Sequence, residues 1–383
     1  MRTGGAAIVL AEQYQRFRRD ARAFCREVIE PRATRHDETG EFVKDNVQAM
    51  AERGWLGIPW PKELGGMGLD YQSYVIAVEE VSRVCASTGL TLAAHTSLGT
   101  YPIYKFGTTE QKEKYIPLLS RGVYLGAFGL TEPNAGSDAA GIESSAKKTE
   151  QGFLINGSKR YITSASFAGT VIVAATLDRK LGRKGITCFI VETKTPGFSV
   201  PSVEHKLGLK GSDTAELVFE GMLVPFDSVL GKEYDGYRIF METLDGGRIS
   251  IGAFCLGMAQ CALDTMITWF QDREMTQLES SALADVAVQV EAARLLVYNA
   301  AQIKDTGVRV DKECAFAKLF ASEVAIWACG TAIDAIGPLA ITDDMPVARA
   351  YRDAKLGEIG EGTSEVMRMI IAKDVIKEAK EAC

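Results

Sequence analysis

The first third of the chain has apolar residues at helical spacing. They recur in steps of three and four residues, which places them on one helix face, at Tyr14, Phe17, Ala21, Phe24 and Val28. Pro31 is expected to end this helix. A second helical pattern follows at Val43, Val47, Met50 and Ala51. Residues 108–111 read T-T-E-Q, a capping box that predicts another helix start at Thr108.

From about residue 122 the pattern changes to short apolar runs separated by glycine-containing turns. Five such runs predict strands without intervening helices, at residues 125–130, 152–155, 170–175, 185–191 and 217–224. An Asn-Gly pair at residues 156–157 predicts a hairpin turn after the second run. These strands predict a small β-sandwich or barrel.

Helical spacing returns after Tyr237, with apolar residues stepping by three and four at Val286, Val290, Ala293, Val297 and Ala300. Residues 314–336 form another long helical stretch. The chain is therefore expected to be an α+β protein with an N-terminal helical domain (residues 1–121), a central β domain (122–234) and a C-terminal four-helix bundle (235–383). No G-x-G-x-x-G opens a β-α-β unit, so a Rossmann dinucleotide site is not expected.

Composition excludes several classes of function. The 383 residues have a formal net charge of −7 and no basic block, so nucleic acid is not an expected partner. The eight cysteines include no C-x-x-C pair and the three histidines are scattered, so no disulfide scaffold or metal site is expected. The apolar run at residues 6–10 is too short for a signal peptide or a membrane span, and no later apolar run is expected to approach the length of a membrane span. We expect a reduced, cytoplasmic protein.

Two polar segments of the β region have the composition to bind a flat ligand. Residues 130–138 read L-T-E-P-N-A-G-S-D, in which Thr131 and Ser137 offer hydroxyl donors. An ordinary polar loop would have the same composition. Residues 156–164 read N-G-S-K-R-Y-I-T-S, and the period of a strand places Tyr161 and Thr163 on one side. That pattern suits a planar heterocycle, but a surface strand with an outer aromatic row shares it.

A carboxylate stands between two glycines in the segment E-I-G-E-G-T-S-E-V, residues 358–366. A glycine in a helix interior costs about 1 kcal/mol relative to alanine. Gly360 and Gly362 therefore predict a turn between two helices. Glu361 is either a surface carboxylate in that turn or a residue that the turn brings to a site.

Taken in order, these segments resemble the acyl-CoA dehydrogenase family from about residue 10 to about residue 375. The two polar segments begin the resemblance. It continues with K-L-G-L-K-G-S-D-T-A-E-L-V-F-E (206–220), L-D-G-G-R-I-S-I-G-A-F-C-L-G-M-A-Q (244–260), R-D-A-K (352–355) and E-G-T-S-E-V (361–366). The resemblance implies FAD, an acyl thioester substrate, and a tetramer built from dimers.

In this family the glutamate of the E-G-T motif is the catalytic base, and the resemblance gives that role to Glu361. It implies that Glu361 removes the α-proton of an acyl-CoA and that the β-hydrogen leaves as hydride to flavin N5. Electrons then pass to an electron-transfer flavoprotein. The resemblance also implies that the thioester oxygen is held by the N–H of Glu361 and a ribityl hydroxyl of FAD. Enclosure by substrate and flavin is expected to raise the pKa of the carboxyl.

The resemblance also implies roles for surrounding residues. The cofactor-binding residues are Phe128, Leu130, Thr131, Ser137, Tyr161, Thr163, Arg273, Thr363 and Glu365. The substrate-binding residues are Ser137, Asp245, Arg248 and Gly362. Tyr161 stands where the family usually has tryptophan against the flavin. Arg273 matches an arginine that reaches the FAD pyrophosphate of the neighbouring subunit.

Three departures from the family pattern change this picture. Gly360 replaces an aromatic residue that often precedes the base, which predicts space for a bulky or branched acyl group. After Arg273 the chain reads R-E-M-T-Q instead of R-x-x-F-G, and about two helical turns are missing before residue 283. The usual Q-x-x-G-G-x-G becomes D-A-I-G-P-L-A at residues 334–340. The last two changes predict weaker FAD binding, because both segments serve the neighbour's FAD.

Two alternatives keep the fold and change the partner. Some relatives oxidise acyl or aminoacyl groups tethered to a carrier protein, and net charge does not separate these from CoA substrates because carrier proteins are acidic too. Others are heteromers in which a paralogous subunit supplies half of a site. Retention of Glu361 argues against a catalytically empty chain. We expect a homo-oligomer, a tetramer, with acyl-CoA as the substrate.

Overall fold

The computed structural model describes residues 10–343 and 345–381, so residues 6–9 of the short apolar run lie outside the described part. The N-terminal region is helical, as predicted. Its helices are α1 (Glu12–Phe24), α2 (Glu30–Thr39), α3 (Lys44–Glu52), α4 (Tyr71–Val84), α5 (Ala86–Ala94), α6 (Tyr101–Phe106) and α7 (Thr109–Ser120). Two π-helical turns, Cys25–Ile29 and His95–Thr100, connect consecutive helices. The capping box between Thr108 and Gln111 is present.

Pro31 does not end the first helix, contrary to the prediction. α1, the π-helical turn and α2 run without a break to Gly40, whose φ of 69° stops the helix. Pro31 is the second residue of α2, which comes directly after the π-helical turn, and it has no N–H to continue the α-helical pattern. The turn before it is widened, since the Glu30 N–H donates to the Cys25 carbonyl, one residue farther back than in an α-helix. Apolar spacing alone does not show such a turn.

The β domain is one mixed sheet of eight strands. They are β1 (Leu125–Gly129), β2 (Ser145–Lys148), β3 (Phe153–Thr163), β4 (Ala168–Thr176), β5 (Ile186–Glu192), β6 (Phe198–Ser199), β7 (Thr214–Val224) and β8 (Val229–Leu230). The strand order is β6-β7-β3-β2-β4-β5-β8, and β1 pairs with β4 in parallel. The α+β class and the order of helical, β and helical domains are confirmed.

The Asn-Gly pair at residues 156–157 does not form a hairpin turn. β3 runs through it, and the pairing with β7 shifts by one residue between Ile155 and Gly157. Asn156 accepts a hydrogen bond from the Gly221 N–H at 2.7 Å. Gly157 has a φ of 143°, and a Cβ there would come within 2.7 Å of the Ser144 backbone. The pair therefore serves an irregular, closely packed point in a long strand.

The C-terminal region consists of the helices α8 (Gly236–Phe270), α9 (Gln277–Asp305), α10 (Asp311–Ile336), α11 (Pro346–Ile359) and α12 (Ser364–Glu381). The predicted apolar stripe of α9, from Val286 to Ala300, is buried. α8 packs against α10 within the bundle and against α4 of the N-terminal domain. This long helix therefore links the two helical domains. The boundaries at 121/122 and 234/235 remain predictions.

In the described part of the chain, two helices, α8 and α10, are long and apolar enough to cross a membrane by length and composition alone. The expectation that no run approaches this length was wrong. In α8, 72% of the most apolar window is buried inside the protein, and in α10 the share is 39%. The two helices pack against each other. The packed core of the bundle therefore accounts for the apolar character of their shared face.

A buried charge network joins α1, α4 and α9. Glu79 and Glu80 are adjacent on α4 and buried. Arg18 contacts them at 2.6 and 2.8 Å, and Arg294 contacts Glu79 at 3.1 Å. Burial alone would raise the pKa of Glu80, but Arg22 and the other arginines lower it to about 2. These pairs keep both carboxylates ionised and hold α4 of the N-terminal domain against α9 of the C-terminal domain.

Candidate active site

Glu361 lies in the turn between α11 and α12, as its glycine neighbours predict. Its φ is 55°, and that of Gly362 is 101°. A left-handed conformation costs a non-glycine residue on the order of 1 kcal/mol or more, so surrounding contacts must hold it. Gly360 closes α11 by donating its N–H to the Leu356 carbonyl at 2.8 Å. The backbone strain of this turn is therefore concentrated at the carboxylate residue itself.

The carboxylate of Glu361 points into the protein against α8. Its Oε2 is buried and has no hydrogen-bond partner among the described residues. A Cβ placed on Gly247 would lie 1.9 Å from that oxygen and 3.0 Å from Leu98, so glycine leaves the room the carboxylate occupies. Burial raises the pKa of Glu361 to about 8, although the charges of Arg248 and Lys318 oppose this. A carboxyl group with that pKa exchanges protons near neutral pH.

Arg248 and Asp245 form a largely buried ion pair one turn apart on α8. Nη1 of Arg248 lies 2.7 Å from Oδ1 of Asp245. The pKa of Asp245 is raised to about 7, chiefly by burial, with Arg248 opposing and Asp311 adding to the rise. Nε of Arg248 is buried and lacks a partner in the described part of the chain. The pair thus leaves a charged donor unused next to Glu361, which fits the predicted substrate-binding roles of both residues.

An ion pair that the sequence analysis did not single out holds the loop after β1. Lys159 of β3 is fully buried, and its Nζ lies 2.6 Å from Oε1 of Glu132 and 3.3 Å from the Leu130 carbonyl oxygen. Glu132 also accepts hydrogen bonds from two backbone N–H groups. Burial lowers the pKa of Lys159 to about 8, with Glu132 opposing. The signal in the sequence that could have paired Glu132 with Lys159 is their opposite charge, one in each of the two polar segments of the β region.

The end of β3 presents an exposed aromatic ring. Two residues, Arg160 and Tyr161, lie opposite a single residue of β7, which makes a bulge. Tyr161 has a φ of 61° at this bulge, and the residue is 58% exposed. Ile162 is buried between Tyr161 and Thr163. The Arg160 N–H donates to the Thr131 carbonyl at 2.9 Å, which joins this strand end to the loop after β1.

These groups fit a flavin. The hydroxyls of Thr131, Ser137 and Thr163 take part in none of the side-chain hydrogen bonds between described residues, and Ser137 is exposed. The ring of Tyr161 adds an unused aromatic face, and Phe128 is half-buried against a phenylalanine of α8. Hydroxyl donors and an open aromatic face match a planar heterocycle with polar edges.

Arg273 lies apart from Glu361. It is exposed beyond the end of α8, where its Nη2 pairs with Oε1 of Glu279 at 2.5 Å. From Gly247 to Phe270 the helix extends about 35 Å, by the rise of an α-helix. Arg273 therefore does not reach Glu361 of its own chain. Its predicted role toward a neighbouring subunit's FAD stays a prediction.

The residues after Glu361 have distinct surroundings. The Gly362 carbonyl accepts a hydrogen bond from Nζ of Lys318 at 2.6 Å. The Thr363 hydroxyl accepts from the Val366 N–H at 3.4 Å at the start of α12. Glu365 is exposed in the first turn of that helix. Thr363 and Glu365 are thus beside the turn, on its accessible side.

Two of the motifs join the β domain to α11. The Asp353 carboxylate is buried and accepts the Leu209 N–H. A Cβ on Gly208 would lie 2.5 Å from the Arg352 backbone, and Arg352 pairs with Asp37. Burial raises the pKa of Asp353 to about 6. R-D-A-K and K-L-G-L-K therefore dock against each other and hold the domains together.

Three family models match the chain in order. They describe the N-terminal, middle and C-terminal domains of acyl-CoA dehydrogenase, at residues 11–123, 127–222 and 234–376. The chain belongs to the acyl-CoA dehydrogenase family. It is 45% identical to a probable acyl-CoA dehydrogenase, YngJ, of Bacillus subtilis and 43% identical to the short-chain specific acyl-CoA dehydrogenase of Clostridium acetobutylicum. Each match covers 96% of this chain and 99% of the other.

Solved structures agree with this assignment. Butyryl-CoA dehydrogenase from Megasphaera elsdenii superposes with a TM-score of 0.93 at 40% identity, covering 96% of this chain and 99% of that one. A chain from the structural study of the electron transferring flavoprotein of Acidaminococcus fermentans gives 0.94 at 41% identity with the same coverage. The protein is thus an oxidoreductase of this family, and its cofactor is FAD.

Proposed function

We propose that this protein oxidises a short-chain acyl-CoA to the α,β-unsaturated thioester, with Glu361 as the base that removes the α-proton. The observation that carries the proposal is the carboxylate of Glu361, whose Oε2 is buried without a hydrogen-bond partner among the described residues and whose pKa burial raises to about 8. Bound FAD supplies the acceptor for the β-hydrogen, which leaves as hydride. The short-chain and butyryl-CoA specificities named for the relatives support the acyl length.

The turn offers a second group to the substrate. The N–H of Glu361 takes part in none of the backbone hydrogen bonds of the turn. A thioester oxygen placed there would receive this donor as negative charge develops on it, which lowers the barrier to α-proton removal. Arg248 adds positive charge close by and favours the ionised form of Glu361. One residue thus supplies both the base and an oxygen-binding donor.

We further propose that the enzyme is a homotetramer that passes electrons to an electron-transfer flavoprotein. The position of Arg273 supports a shared cofactor site, because it is exposed and about 35 Å along α8 from the base of its own chain. The structural likeness to a chain studied together with an electron transferring flavoprotein supports the acceptor. The altered segments after Arg273 and at residues 334–340 are expected to leave FAD less tightly held than in relatives with the full motifs.

An anaerobic titration of the purified holoenzyme tests the function. Butyryl-CoA is expected to bleach the visible flavin spectrum at about one equivalent per flavin, whereas CoA alone is not. The same butyryl group on an acyl carrier protein provides the comparison. Bleaching by the carrier-bound thioester but not by butyryl-CoA would contradict the proposal in favour of a carrier-protein substrate. No bleaching by either would remove the short-chain assignment.

A further inference from the structure

Lys318 is a buried cation on α10 that forms no ion pair with the described residues. Its side chain is fully buried, and its Nζ makes a single hydrogen bond to a protein group, 2.6 Å from the Gly362 carbonyl oxygen. Removing an ammonium group from water without an anionic partner costs stability. Burial accordingly lowers the pKa of Lys318. A neutral residue would suit this place in the core better, so the lysine needs a reason other than stability.

Its hydrogen bond goes to the turn that carries the base. Gly362 follows Glu361 directly, and both have left-handed φ values, 55° for Glu361 and 101° for Gly362. A bond from α10 to the Gly362 carbonyl fixes the peptide plane that follows the strained residue. Lys318 also acts on the carboxylate through its charge, since it opposes the effect of burial on the pKa of Glu361.

We propose that Lys318 is a positioning residue for the turn that carries Glu361, which it holds from α10 through its hydrogen bond to the Gly362 carbonyl. The proposal rests on the assignment of Glu361 as the base. Without the lysine, the turn loses its one tie to α10 among the described side-chain hydrogen bonds. The carboxylate then keeps its proton to higher pH.

Several other ionisable groups act on this site from the helices packed around it. They are Arg248, Asp245 and Cys255 of α8, Asp311 of α10, Glu358 of α11, Lys304 of α9, and Tyr71 and Tyr74 of α4. Burial raises the pKa of Cys255 to about 12 and that of Tyr71 well above its usual range, so both are neutral at working pH. Asp245 has a pKa of about 7 and titrates in the same range as Glu361. A test must separate these two carboxyl groups.

A paired unfolding experiment makes that separation. The free energy of unfolding in urea is measured from about pH 4.5 to 9.5 for wild type and Glu361→Gln, and for Lys318→Met and Lys318→Met/Glu361→Gln. The difference within each pair isolates the titration of Glu361 and cancels that of Asp245. Within each pair, the difference in the free energy of unfolding becomes constant above a certain pH. That pH is expected to be higher by about one unit or more in the Lys318→Met pair than in the pair that keeps Lys318. An unchanged levelling pH would overturn the electrostatic role.

Flavin reduction by butyryl-CoA provides the second readout. At neutral pH, Lys318→Met is expected to slow reduction by about tenfold or more and to shift its pH profile to the alkaline side, because one pH unit in the base changes its ionised fraction about tenfold. Lys318→Arg keeps charge and donor and should restore most of the rate. Lys318→Gln keeps a donor without charge, and it replaces the methionine variant in both assays if that variant does not fold.

Lys312→Met is the matched control, because Lys312 lies on the same helix and pairs with Glu378 at the surface. Its rate and pH profile should equal those of the wild type. If Lys318→Met and Lys312→Met behaved alike in both assays, the positioning role would be wrong. If Glu361→Gln still reduced its flavin, the proposed function would fail, and the paired unfolding data would still report whether Lys318 acts on Glu361.

Discussion

Replacing Glu361 by glutamine tests the buried carboxyl group without any substrate. The ordinary pKa of this group is 4.5, and burial raises it to about 8 in the folded protein. Between those pH values the unfolded chain has lost the proton and the folded chain keeps it. The unfolded state then binds fewer protons, so the free energy of unfolding falls as pH rises. At about 1.4 kcal/mol for each pH unit, the free energy of unfolding falls by at most about 5 kcal/mol over the whole interval.

The sign of the effect follows from these protonation states. Below pH 4.5 the Glu361 carboxyl is protonated in both the folded and the unfolded state, so the wild type retains the full contribution of this group to the free energy of unfolding. That contribution is lost progressively as pH rises toward about 8 and stays lost above it. Glutamine has no proton to lose. The variant should therefore gain stability over the wild type across this interval and hold a constant gain at higher pH.

The assay is urea unfolding followed by far-UV circular dichroism, at one protomer concentration and one FAD concentration, because ligand and partner binding also stabilise the folded state. Glu365→Gln is the control. Hydrogen bonds within its helix turn, including one with Thr363, lower the pKa of the exposed Glu365, so its loss should give no gain at alkaline pH. A difference between wild type and Glu361→Gln that stays flat from about pH 5 to 8 would refute the buried, protonated carboxyl.

Three further substitutions probe the site. Gly247→Ala places a methyl group 1.9 Å from Oε2 of Glu361 and should slow flavin reduction by butyryl-CoA about a hundredfold. Gly246→Ala is the control, because its Cβ meets no atom closer than 3.4 Å and should leave the rate of flavin reduction unchanged. Equal rates for the two variants would show that the carboxylate lies elsewhere. Gly360→Tyr should reduce activity on branched thioesters more than on butyryl-CoA, and equal losses would mean that Gly360 shapes only the backbone. Lys159→Met leaves the buried Glu132 carboxylate without its cation, and it should lower the free energy of unfolding in urea by about 3–5 kcal/mol and reduce the FAD content. A variant with wild-type stability and a wild-type flavin-to-protein ratio would contradict the role of that ion pair.

The sequence predicted the order of the domains and the turn around Glu361, because apolar periodicity and glycine placement are local signals. It did not predict that Glu361 itself takes the left-handed conformation, since the flanking glycines are the residues that adopt it most easily. The packing of the turn against α8 and its hydrogen bond from α10 help to hold the strained residue. That packing joins segments far apart in the chain.

The two wrong local predictions have a common cause. Pro31 and the Asn-Gly pair at residues 156–157 carry strong turn signals, yet both lie inside continuous elements. A π-helical turn accommodates the proline, and a shift in strand pairing accommodates the glycine. Each irregularity depends on neighbours that a local pattern does not contain. The same holds for the buried Lys159 and Lys318, whose partners lie on other segments of the chain.

The central claim is that Glu361 takes the α-proton when an acyl-CoA reduces the flavin. The most direct measurement is anaerobic rapid mixing of butyryl-CoA with wild type and Glu361→Gln holoenzymes of equal FAD content, followed in the visible flavin absorption. The wild type is expected to bleach. The variant should keep its oxidised spectrum on the same timescale, because an amide does not accept the proton. Its rate of flavin bleaching should be lower by about a hundredfold to ten-thousandfold. Bleaching of the variant at a rate close to that of the wild type would show that the base is another residue.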